Sequence, residues 1–132
     1  MPLLNKNEDG QWQLGAAELP DWQSDDALVL AGDAELPDDL EGIAAVGIEF
    51  PAFNDGRGLS LAVLIRTRLG FTGDLVALGA VHEDILHYMR RCGFNMMQLP
   101  DDRDAEVALS LLAPYTDHYQ ASVEQTQPSF RR

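Results

Sequence analysis

The sequence predicts an α/β fold: an open, mostly parallel sheet of four to five strands joined by βαβ crossovers in a single domain. Three observations carry this expectation. From residue 43 onward, short apolar runs alternate with stretches of helical spacing, and such alternation implies parallel strands with right-handed crossovers. The run Ile43 to Phe50 is almost continuously apolar, as a strand covered on both faces is. Gly70 and Gly93 each close a helical stretch at the place of a left-handed cap, with arginines in the turn before them, where they complement the helix dipole. Four or five strands cannot close an eight-stranded barrel, which takes about 250 residues.

Taken in order, residues 1–42 mix turn formers (Asp9-Gly10, Gly32-Asp33, Pro37-Asp38-Asp39) with two apolar pieces. Trp12 to Leu14 reads as a weak edge strand or arm and Ala27 to Ala31 as a strand. Strand 43–50 ends at Pro51, which lacks a ladder donor. In the helix at 58–69, Leu59, Ala62, Leu64, Ile65 and Leu69 can share one face. A strand at Asp74 to Leu78, a helix at Val81 to Arg91, a strand at Asn95 to Leu99 and a helix from about Asp104 to Leu112 follow. The predicted organisation is an acidic segment over 1–42 with one or two short strands, a βαβαβα core over 43–118, and an extended tail over 119–132.

A chain of 132 residues fits one domain, which at this size buries roughly two-thirds of its unfolded surface. The net charge is 9 − 22 = −13, and it is unevenly spread: residues 1–42 hold acids at eleven positions against Lys6 alone. Such a surface repels nucleic acid and anionic lipid and attracts a basic protein face; solubility is the plainer reading of the same acids. One cysteine, Cys92, excludes an internal disulfide, a four-cysteine zinc site and a self-held iron–sulfur cluster. No run approaches the ~20 apolar residues of a membrane span, and the acidic start lacks signal-peptide character, so the chain is expected to be cytoplasmic.

In a parallel sheet the carboxyl ends of the strands share one rim, where ligands bind. That rim is predicted to gather Glu49 with residues 54–60, Gly79 to Asp84, and Leu99 to Asp102. The string Phe50-Pro-Ala-Phe-Asn-Asp-Gly-Arg-Gly-Leu-Ser60 is its most informative part. The glycines permit positive φ and close approach of a ligand, and the amides around Arg57 to Ser60 fall at a helix N-terminus, which favours an anion. Arg57, Gly56, Gly58 and Ser60 are therefore the candidate anion site, with Asn54, Asp55 and Asp84 in support. Glu49 and His82 are the candidates for moving a proton. Each has a structural alternative: Arg57 can lock the turn against Asp55 or Glu49, Asp55 can cap the helix, Glu49 can point outward, and His82-Glu83-Asp84 can be an ordinary acidic first helical turn. His82 and His87 are five apart, poor spacing for a shared metal, and no metal is expected. Cys92 reads as a packed core thiol, although two preceding arginines can lower its pKa.

The string F-P-x-F-x-D-G-R-G-x-S, the glycine-marked segment Leu69 to Gly79, Arg90-Arg91-Cys92-Gly93-Phe94 and the ending Ser129-Phe130-Arg131-Arg132 together resemble a bacterial family catalogued as domain of unknown function nine-three-four. The likeness runs from about residue 40 to the tail. Members are commonly labelled probable oxidoreductases of sulfite reduction because their genes lie beside that of the sulfite reductase hemoprotein. Departures are Ala80, where the family usually has aspartate, Ile85, near a usual glutamine, and Asn95, where aspartate is common. An essential catalytic role for the position of Ala80 would imply an inactive chain.

Two functional expectations follow. The resemblance implies an accessory protein of assimilatory sulfite reduction that binds the siroheme reductase or its electron donor, with the acidic front third and Phe130, Arg131 and Arg132 as partner contacts. Six-electron reduction needs stored redox centres, and the sequence has neither cluster cysteines nor G-x-G-x-x-G nor a heme-attachment motif. No cofactor is predicted, although a noncovalent flavin needs no short fingerprint. The alternative is a small enzyme or sensor holding sulfite or phosphate around Arg57.

Overall fold

The computed structural model describes residues 2–15, 17–52 and 56–112, the side chain of Glu83 excepted. The elements are β1 (Leu3–Lys6), β2 (Trp12–Leu14), β3 (Ala27–Ala31), β4 (Ala45–Phe50), α1 (Arg57–Thr67), β5 (Asp74–Gly79), a 3-10 turn (Glu83–Ile85), α2 (Leu86–Cys92), β6 (Met96–Gln98) and α3 (Ala105–Leu112). The described strands form one six-stranded sheet in the order β2-β1-β6-β5-β4-β3. Strands β3, β4, β5 and β6 run parallel to one another, and β1 is antiparallel to both β2 and β6.

The mixed, mostly parallel α/β sheet is the predicted class, with more strands than expected. The additional one is β1. Its only apolar signal is Leu3-Leu4, and the two side chains go to opposite faces: Leu4 joins the large cluster beneath the helices, Leu3 a smaller one on the reverse. Such a pair shows no alternating pattern until its register, Leu4 beside both Leu14 and Met97, is known.

Period-two alternation divides the core. Val46, Ile48 and Phe50 of β4, Leu75 and Ala77 of β5 and Met97 of β6 pack beneath the helices with Leu61, Ala62, Ile65, Leu86, Met89 and Ala108. The reverse face carries Leu3, Val76, Leu78 and Met96, roofed by Leu19 and Trp22 from the connection before β3. Gly47 makes that roof fit, since a Cβ there would lie 2.8 Å from Trp22 Cη2.

The helix expected at Val81 to Arg91 is divided. Val81 and Leu86 are both buried, but five residues on one α-helix would set them roughly 140° apart. The chain instead makes the 3-10 turn, leaves helical geometry at Ile85 (φ −117°, ψ 5°), and begins α2 at Leu86. Gly93 takes the left-handed cap at φ 110° as expected.

Arg66 ties the amino ends of β5 and β6 to the helices. Its Nε donates to Gly93 O at 2.9 Å, and Nη1 donates to Phe71 O at 2.9 Å and Gly73 O at 2.8 Å. The guanidinium lies 5.6 Å from the centre of the Phe71 ring. Burial pushes the Arg66 pKa down, while Asp74 opposes that shift.

Candidate functional site

At the opposite, carboxyl rim of the parallel strands a hollow of about 370 Å³ is lined by Ala31 at the end of β3 and Gly32 and Asp33 after it, by Glu49 and Phe50 of β4 and Pro51 after it, by Gly79 of β5, and by Arg57 at the start of α1. A neighbouring hollow of about 280 Å³ shares Gly32, Asp33 and Arg57 and adds Ser60, Leu36 and Leu64. Arg57 Nη1 stands 3.7 Å from Asp33 Oδ2, and both side chains are mostly exposed.

Asp33 is the rim residue that the sequence reading missed. Parallel register sets Ala31 beside Glu49, so the residues that follow β3 arrive at the same rim as those that follow β4. Recognition of Ala27–Ala31 as a parallel strand was the signal available. The sequence offers Asp55 and Glu49 as turn-locking partners for Arg57; the guanidinium stands beside Asp33.

Two glycines of this region, Gly58 and Gly32, serve packing. Gly56 caps α1 at φ −78°, without the positive φ its residue type permits. Gly58 is buried, and a Cβ there would stand 2.7 Å from Phe50 Cε2, so its hydrogen lets the first turn of α1 rest on the β4 ring. Gly32 is similar: its Cβ would meet Glu49 O at 2.9 Å. These contacts bring three backbone segments together and account for Gly32 and Gly58 without ligand approach. Two amides of the first turn, those of Leu59 and Ser60, donate to Gly56 O at 3.1 and 3.2 Å.

Glu49 is exposed, on the reverse face beside Ala31 and Leu78, so the covered strand does not bury its carboxylate. His82 lies outside both hollows. It precedes α2 and does not occupy the helix's first turn. The Asp84 N–H donates to His82 Nδ1 at 3.1 Å, which puts the neutral ring's proton on Nε2. The Asp84 carboxylate is 3.6 Å from the same nitrogen. Residues 99–102 are likewise not brought to the hollow: Leu99 N–H donates to Pro2 O at 2.8 Å, and Asp102 is 3.7 Å from Arg103. Asn54, Asp55, Phe130, Arg131 and Arg132 lie outside the described residues.

Cys92 is half-buried against the core, and burial raises its pKa more strongly than Arg91 lowers it. Among the described residues no three His, Cys, Asp or Glu side chains cluster as metal ligands, and no helix is long and apolar enough to cross a membrane.

Charge is more strongly organised than the hollow. Asp21, Asp25, Asp26, Asp33, Glu35, Asp38, Asp39 and Glu41 are all exposed, in the segments that enter and leave β3, with no lysine or arginine between them. Three of them hold local turns: Asp21 and Asp39 accept from the N–H groups of Gln23 and Glu41, and Asp26 from the Ser24 hydroxyl.

Comparison with known proteins gives one match of family rank. The family described as "Bacterial protein of unknown function (DUF934)" matches residues 27–130. No curated protein and no solved structure matches the chain.

Proposed function

The chain belongs to this bacterial family, DUF934, and from that membership and its charge pattern we propose that it is a cytoplasmic accessory protein of assimilatory sulfite reduction, docking on the siroheme reductase or its electron donor. The observation that carries the reading is the unbroken set of exposed carboxylates from Asp21 to Glu41. Carboxylates gathered around one sheet edge, three of them held in local turns, present a coherent negative field, which steers a basic protein face into contact and weakens with salt. The Phe130-Arg131-Arg132 ending is proposed as a second contact.

The oxyanion reading has less support. Among the described side chains lining the larger hollow, two carboxylates, Asp33 and Glu49, accompany the single guanidinium of Arg57. That balance disfavours sulfite or phosphate.

The test is the affinity of the purified chain for the sulfite reductase hemoprotein at low and high salt, with the eight carboxylates from Asp21 to Glu41 in native form or changed to amides. Tight binding that weakens with salt and is lost in the amide variant is expected. Equal affinity for native and amide chains would overturn the reading. In parallel, calorimetry with sulfite should give no heat of binding.

A further inference from the structure

We infer that the outer edge of β3 is a β-augmentation site for an extended segment of a partner protein carrying lysine or arginine. The inference deepens the docking reading above, and rests on it for the identity of the partner.

Among the described residues, strand β3 ends the sheet and pairs only with β4. Hydrogen bonding fixes the phase of its peptide groups. Asp26 O accepts from Ala45 N–H at 3.2 Å, and in a parallel ladder this directs both peptide groups of Leu28 and Leu30 toward β4. Those of Ala27, Val29 and Ala31 consequently point outward. Local turns use two of the outer groups: Ala27 N–H donates to Ser24 O at 3.2 Å, and Ala31 O accepts from Ala34 N–H at 3.0 Å. The N–H and C=O of Val29, the C=O of Ala27 and the N–H of Ala31 remain, and no hydrogen bond among the described residues claims them. They form one repeat of a ladder, in the order an added strand would engage.

The side chains suit an added strand as well. Ala27 to Leu30 are half-buried and Ala31 is exposed, so a second apolar strand would cover surface that β4 covers on only one side. An open apolar edge is an aggregation hazard that proteins blunt with charge. Here the charge lies at both ends: Asp25 and Asp26 precede the strand, Asp33 and Glu35 follow it, and all are exposed. Another copy of a chain with net charge −13 would be repelled, whereas a strand with basic residues at its ends would gain ladder bonds and charge pairing together.

The experiment is residue-resolved amide hydrogen exchange on the full chain, alone, with a synthetic peptide alternating valine with lysine or arginine, and with sulfite reductase. The expected result is slowing of Val29 and Ala31 exchange by about tenfold or more with either partner. The effect should disappear for a peptide N-methylated on its ladder-forming amides and for one with glutamate in place of the basic residues. Because these controls alter only the peptide, they stand even if Val29→Pro fails to fold. No protection by the peptide, or equal protection by its N-methylated form, overturns the inference. Reductase binding that leaves Val29 exchange unchanged also overturns it while sparing the docking reading. Protection by the peptide without any reductase binding keeps the edge site and removes the proposed partner. A Val29 amide already protected in the free chain, and released by removing residues 127–132, would overturn it in favour of an edge occupied by the chain's own end.

Discussion

The side-chain amide of Asn95 donates to Asp74 Oδ1 at 2.9 Å while its carbonyl oxygen accepts from the Leu75 N–H at 2.7 Å. Both ends of the amide are in use, and the Arg66 guanidinium stands 3.5 Å from the same oxygen. Asn95→Leu strands a backbone N–H between two strands and should destabilise by about 1–3 kcal/mol. Asn95→Asp keeps the acceptor but faces Asp74 with a like charge. Its loss in urea denaturation is expected to shrink when Asp74→Asn is added; additive effects in that double-mutant cycle would refute the coupling.

Arg66 bonds to three carbonyls and lies over an aromatic ring, a task for a planar fork. Arg66→Met is expected to destabilise by about 3 kcal/mol, as an estimate for hydrogen bonds from a charged donor. Arg66→Lys should recover little of it. Recovery to within experimental error in thermal unfolding would mean that charge alone suffices.

Gly58→Ala places a methyl group against Phe50, whose ring centre is 5.8 Å from that of Phe94. The crowding should cost about 1–3 kcal/mol. Phe50→Leu in the same chain should relieve part of it. A Gly58→Ala protein as stable as wild type would show that the ring can move aside.

At the rim, Arg57→Ala should change stability by no more than about 0.5 kcal/mol, because both partners of the Asp33 contact are solvent-screened. A larger loss in chemical denaturation would give Arg57 a structural task that its exposure does not suggest.

For Cys92 the sign is set by burial. The folded thiol holds its proton above its ordinary value of 9.0, whereas the unfolded thiol releases it there. This contribution to stability is complete below that pH and is lost as pH rises through the folded value. Alkylation of the native protein at mildly alkaline pH should be slower than that of the denatured chain. Native alkylation as fast as denatured would contradict it.

The strands at 27–31, 43–50 and 74–78 were legible because their apolar residues are consecutive and glycine or proline bounds them. Strand β1 was not, since two leucines on opposite faces acquire meaning only from the strands beside them. The division before α2 was hidden for a related reason: the spacing of Val81 and Leu86 matches no single helical face. Of the candidate site, Arg57 and Glu49 line one hollow. Asp33 escaped because its segment had been read as an acidic surface, while Gly58 looked like a ligand contact until the Phe50 ring appeared against it. Sequence spacing carries no information on which neighbour lies above a glycine.

The roof over Gly47 has an optical consequence. Of the tryptophans at 12 and 22, Trp12 is buried at the far side of the sheet, its indole N–H without a hydrogen-bond partner among the described residues. Trp22 packs on the reverse face in the cluster that includes Val29. The two indoles are thus intrinsic reporters of separate events: Trp12 of the collapse of the helical layer, Trp22 of what happens beside β3. A change of emission that Trp22→Phe abolishes and Trp12→Phe retains would allow occupancy of that edge to be followed in real time, without a label.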